Sequence, residues 1–167
     1  ADTAIRLKEL HPKVKIGGPG IHNVGLGLPS TAESEYMNTI GLEWTENFLR
    51  YLKGRDVELD FLSWHYYGSD PQDYIAMHDK AHKLLVEFGY GDTEQIVSEW
   101  NTSFDSGNAS TPLGAAQASA IWIALQNDAP SVANAHFYRG ADGPFVPDGN
   151  GFPIWIDSEG ASPFQNN

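Results

Sequence analysis

Cysteine is absent from the 167 residues. That excludes a disulfide scaffold, a thiolate zinc site and a cysteine nucleophile. Cations are scarce: 10 Lys and Arg stand against 22 Asp and Glu, a formal net charge of −12. With a pI near 4.7 the chain repels other anions, which argues against nucleic acid and an anionic membrane as partners. No apolar run reaches the roughly 18 residues that span a bilayer. The chain opens on Ala1 without the charged and apolar segments of a signal peptide, so it reads as processed or as a piece of something longer. Its compartment stays open between cytoplasmic and secreted bacterial-type. What is plentiful is apolar and aromatic surface, at 41% and 12% of residues. That supports one packed domain over residues 1–167, with some aromatics left for a flat ligand face such as a sugar ring.

Hydrophobic spacing gives an alternation of helix and strand. Ala4, Ile5, Leu7 and Leu10 share a helical face over residues 2–10, closed by Pro12. Val14 to Gly18 reads as a short strand, followed by a loop of about 20 residues. An amphipathic helix is predicted over 42–54, from Trp44, Phe48, Leu49 and Leu52. Leu59 to His65 is the second strand. Asp70-Pro71 caps a helix running to about Phe88, Gln95 to Glu99 is the third strand, and Thr111-Pro112 opens the next helix. Val132 to Tyr138 is the fourth strand. From about residue 139 the tail is irregular, with one arm around Pro153 to Ile156.

Repeated βα units imply a parallel sheet covered by helices, either doubly wound or half of a TIM (β/α)8 barrel. Both place chemistry at the C-terminal strand ends. Those ends read Gly17-Gly18-Pro19, His65-Tyr66-Tyr67, Glu99-Trp100-Asn101 and His136-Phe137-Tyr138-Arg139. A carboxylate at Glu99, walled by aromatics, suits a glycosyl nucleophile, a general base or a metal ligand. A solvated strand-end carboxylate is the plain alternative. His65 and Tyr67 lie two apart in extended chain and so share a face. From there they can reach a neighbouring carboxylate or a sugar hydroxyl, or be simple packing. The glycines of 17–20 lack the spacing of a phosphate loop.

Three of these ends, in this order, resemble the second half of the clan A glycoside hydrolases, most closely the family 39 β-xylosidase-like enzymes. The carrying segments are Lys13 to Pro19, Asp60 to Tyr67 and Ile96 to Asn101. The resemblance implies strands five to eight of a (β/α)8 barrel and a retaining glycosidase acting on a β-xyloside or related β-glycoside. It implies Glu99 as nucleophile and Tyr67 as its hydrogen-bond partner. It also implies His65, Trp100, Asn101 and Tyr138 as residues of the sugar site, with no metal or other cofactor. Tyr138 and Arg139 stand where the family usually has a Trp-containing strand end.

The family's acid/base glutamate sits in an Asn-Glu-Pro triplet, and no such triplet occurs here. General acid help is typically worth about 10²–10⁴-fold, so the chain alone is expected to be weak or inactive. Glu33, Glu35 and Asp105 are candidate substitutes, though solvated loop charges explain them more simply. The alternative reading is a non-catalytic carbohydrate-binding or structural half-barrel module. A third is a metal enzyme using His65, Glu99 and His136. A half barrel would leave two strand edges open, and an inner face carrying Val14, Ile16, Leu62, Val97 and Phe137. Self-association into a homodimer or higher oligomer follows as an expectation.

Overall fold

A computed structural model describes residues 1–22, 32–103 and 111–138. The elements in chain order are α1 (Asp2–Leu10), β1 (Gly17–His22), α2 (Ala32–Gly54) and β2 (Phe61–Tyr67). They continue with α3 (Pro71–Glu87), β3 (Glu94–Asn101), α4 (Pro112–Asp128) and β4 (Val132–Phe137). The two proline caps form as their residues require. The Asp70 carboxylate accepts from the Gln72 N–H at 2.9 Å, and the Thr111 hydroxyl from the Gly114 N–H at 3.0 Å.

All four strands are parallel and lie in the order β1-β2-β3-β4. A doubly wound sheet reverses its strand order and covers both faces. Here the order never reverses, and the core lies between one face of the sheet and the helices. Leu62, Trp64, Val97 and Trp100 meet Leu49 and Leu52 of α2, Tyr74, Met77 and Leu85 of α3, and Ile121 and Leu125 of α4. This is the arrangement of half a (β/α)8 barrel, with helices outside and the other sheet face turned inward.

Trp64 and Gln95 show how the outer layer is fixed. Both are fully buried, and the indole N–H donates to the Gln95 side-chain oxygen at 2.9 Å. The Gln95 amide donates onward to the His78 carbonyl at 3.1 Å and the Ser131 hydroxyl at 3.0 Å. One polar side chain therefore ties β2, β3, α3 and the entry to β4, with its hydrogen-bonding capacity used.

Three expectations are corrected. The first strand is Gly17–His22, not Val14 to Gly18. Val14 instead closes a turn through its N–H to the His11 carbonyl at 3.0 Å. β2 runs close enough to require glycine at 17, where a Cβ would stand 2.1 Å from the Phe61 carbonyl oxygen. The expected loop ahead of residue 42 is helical from Ala32. From Gly41 onward α2 turns buried residues toward the sheet, including Thr45, Leu49 and Leu52. Finally, Leu62 and Val97 do not line the inner face. They are fully buried under the helices, and Phe137 sits edge-on to Trp100 at 5.0 Å on the same side. Val14 lies outside any strand. The arm expected around Pro153 lies outside the described residues.

Candidate active site

Two β-bulges decide which side chains reach the inner face. Along β1 the register runs Pro19 to Ser63, skips Gly20, and resumes with Ile21 to Trp64 and His22 to His65. Gly20 takes φ +75, which glycine adopts without strain. Along β3, Val97 pairs with Trp64 and Glu99 with His65, so one residue is again inserted, at Ser98. Strict alternation from Gln95 and Val97 would point residue 99 at the helices. The bulge turns Glu99 inward while Trp100 returns to the core. His22, His65 and Glu99 thus stand side by side on three adjacent strands.

The geometry around Glu99 follows. The Tyr67 hydroxyl donates to Glu99 Oε1. His65 Nδ1 lies 3.8 Å from Glu99 Oε2, near enough for electrostatic contact and too far for a hydrogen bond. The two side chains are 26% and 31% exposed, so the carboxylate is held and still open to an approaching ligand. The His22 ring sits 6.3 Å from the Tyr67 ring, tilted by 36°. Burial by its surroundings and the adjacent His65 lower the His22 pKa below the ordinary imidazole value, with Glu99 opposing. Ser63 supports the row from below, its hydroxyl accepting from the Gly20 N–H at 2.8 Å.

Trp100 and Asn101, expected beside the sugar, turn elsewhere. Trp100 is 2% exposed and packs against Tyr74, Trp122 and Phe137, because the bulge returns it to the helix side. Asn101 is fully buried. Its amide donates to the Tyr138 carbonyl at 2.7 Å, and its side-chain oxygen accepts from the Thr102 N–H at 2.6 Å. It acts as a strut joining the ends of β3 and β4. Tyr74 does the same for β2 and β3, donating to the Asn101 carbonyl at 2.9 Å, and burial pushes its phenol pKa up. Tyr138 is partly exposed just beyond β4, its N–H bonded to the Trp100 carbonyl at 2.8 Å. Arg139 and Asp105 lie outside the described residues, as do the side chains of Glu33 and Glu35.

His22 is not among the residues expected from the sequence, because it lies beyond the expected strand Val14 to Gly18. Its one advance signal is the glycine two residues earlier, where a bulge can re-aim the chain. Among the described residues no three His, Asp or Glu side chains form a metal-holding group, so His136 does not join His65 and Glu99 in one. At the opposite end of the sheet a polar groove of about 710 Å³ is lined by Lys15, Lys53, Asp60, Tyr90 and Glu94. Several of its charges are paired, Lys15 with Glu94 at 2.5 Å and Asp60 with Lys8 at 2.6 Å. In parallel-strand barrels that end serves stability.

Tyr67 carries a direct expectation. Hydrogen bonds to charged groups contribute about 1.5–3 kcal/mol, so if Glu99 attacks a glycoside as the resemblance implies, Tyr67→Phe should slow that attack about 10- to 100-fold. Stopped-flow or mass-spectrometric rates of adduct formation measure this. An unchanged rate would remove the phenol from the site.

No family model and no curated protein matches the chain. Solved structures do. A glucosidase from Croceicoccus marinus superposes with a TM-score of 0.68 at 27% identity, covering 96% of this chain and 32% of its own. A monomeric beta-xylosidase from Caulobacter crescentus CB15 gives 0.65 at 18% identity, covering 95% of this chain and 33% of its own. The chain thus spans about a third of the length of these glycosidases, and its four parallel strands with flanking helices have a glycoside-hydrolase-like fold.

Proposed function

We propose that the chain is the nucleophile-bearing half of a retaining β-glycosidase, related to the family 39 β-xylosidase-like enzymes. It would act on a β-xyloside or a related β-glycoside. The observation that carries this reading is Glu99. A bulge at the C-terminal part of a parallel strand turns its carboxylate to the inner face, where the Tyr67 hydroxyl holds it beside His65. A carboxylate so held is oriented for attack on an anomeric carbon, with its second oxygen open.

Retaining hydrolysis also needs an acid carboxyl about 5–5.5 Å away. No Asn-Glu-Pro triplet is present to supply it. The chain alone should therefore act only where the leaving group departs unaided. A dinitrophenyl fluoroglycoside meets that condition. Glu99 attacks the anomeric carbon, the carbon–oxygen bond breaks, and dinitrophenolate leaves with the electron pair. The fluorine slows hydrolysis of the ester formed. Intact-mass and peptide spectrometry should find the sugar on Glu99, with the xyloside and glucoside probes compared. Failure of both probes to label overturns the catalytic reading.

A second reading, a non-catalytic carbohydrate-binding or structural half barrel, is favoured by the missing triplet. It predicts calorimetric binding of xylo-oligosaccharides with no adduct.

Self-association belongs to the same proposal. Among the described residues β1 and β4 each have a partner on one side only, and an unpaired parallel edge invites pairing. The isolated chain should elute as a dimer or larger at micromolar concentration. Light scattering that finds a stable monomer counts against it.

A further inference from the structure

We propose that His22 binds a hydroxyl of the sugar seated over Glu99, so that the ligand lies across β1, β2 and β3 with these two residues at its ends. This rests on the glycosidase reading of Glu99, and deepens it by assigning a sugar contact to a strand on which the sequence reading placed none.

Three observations carry it. First, His22 reaches the inner face only because Gly20 adds a residue to β1, as Ser98 does for Glu99 on β3. Two separate bulges converge on one row, and bulges next to active sites re-aim side chains. Second, the row has the dimensions of a sugar. His22 and Glu99 are two strand spacings apart, about 9–10 Å between backbones, so a pyranose lying over the row, above His65, can reach both side chains. Third, the surroundings suit a neutral hydroxyl group. The Tyr67 ring flanks His22, and His65 stands between His22 and Glu99. Burial and His65 keep the His22 imidazole neutral to lower pH than usual. A neutral imidazole nitrogen can donate to a sugar hydroxyl or accept from one, according to its tautomer.

The test uses the dinitrophenyl fluoroxyloside on the chain and on His22→Ala and His22→Gln. His22 is an exposed residue outside the buried core, its ring only partly covered by its neighbours, so both variants should fold, as circular dichroism will check. In His22→Ala the half-saturating probe concentration should rise about 5- to 10-fold, the worth of one neutral hydrogen bond, with the saturated labelling rate changed less than about 3-fold. His22→Gln, which keeps a donor and an acceptor, should recover part of the loss. Unchanged half-saturation in both variants, with the parent labelled, overturns the assignment and leaves the role of Glu99 intact. If the parent is not labelled, imidazole NMR during titration with a methyl β-xyloside decides. A shift of the His22 signals keeps the sugar contact while the nucleophile reading falls. No shift of His22 sinks the contact as well.

Discussion

Glu99→Gln should abolish covalent labelling by the dinitrophenyl fluoroglycoside, lowering the rate by at least about 10³-fold. The amide matches the carboxylate in shape. Its oxygen can still accept from Tyr67, so the site should keep its geometry. What disappears is the anionic oxygen that, on the proposed glycosidase reading, bonds to the anomeric carbon. Because the probe needs no acid, the absence of an Asn-Glu-Pro triplet does not mask the effect. The fold serves as the control. Glu99 is partly exposed and outside the buried core, so the unfolding free energy should change by no more than about 0.5 kcal/mol. Labelling of Glu99→Gln at the parent rate, or on another residue, would show that the carboxylate does not attack.

Trp64→Ala should cost about 3–5 kcal/mol in urea unfolding followed by circular dichroism. Trp64 is fully buried at the centre of the layer between sheet and helices. Its loss opens a cavity and strips the Gln95 oxygen of its donor, which is 2.9 Å away in the intact chain. A buried acceptor left without a partner adds about 1–3 kcal/mol. Against a total stability of about 5–15 kcal/mol, the variant should be close to unfolding. Trp64→Phe keeps most of the ring volume, so it separates the cavity from the lost hydrogen bond. A cost below about 1 kcal/mol for the alanine variant would mean that the half barrel does not depend on this layer.

Much of the architecture is legible in local chemistry. Asp70-Pro71 and Thr111-Pro112 mark helix starts because a short polar side chain followed by proline satisfies the first turn with little strain. Leu59 to His65 and Gln95 to Glu99 read as strands because parallel strands are partly shielded on both faces, and the strands run Phe61–Tyr67 and Glu94–Asn101. The start of α2 was not legible. Gly25, Gly27, Pro29 and Ser30 just ahead of it read as loop, while the helix begins at Ala32. The Gly17–His22 strand was hidden for a related reason. Its glycines have little intrinsic strand preference, and at Gly17 Phe61 lies too close for any Cβ.

The candidate site divides in the same way. Glu99, His65 and Tyr67 could be named from their places at strand ends, and they meet in the folded chain. Trp100 and Asn101 could be named but not aimed. Read alone, the residues establish an α/β chain of parallel strands with a carboxylate near the end of the third. Which way that carboxylate points, and that His22 joins it, was decided by the bulges at Gly20 and Ser98. A one-residue slip in register reverses the face of every side chain after it. That slip is a property of pairing between strands distant in sequence, and neighbouring residues along the chain do not encode it.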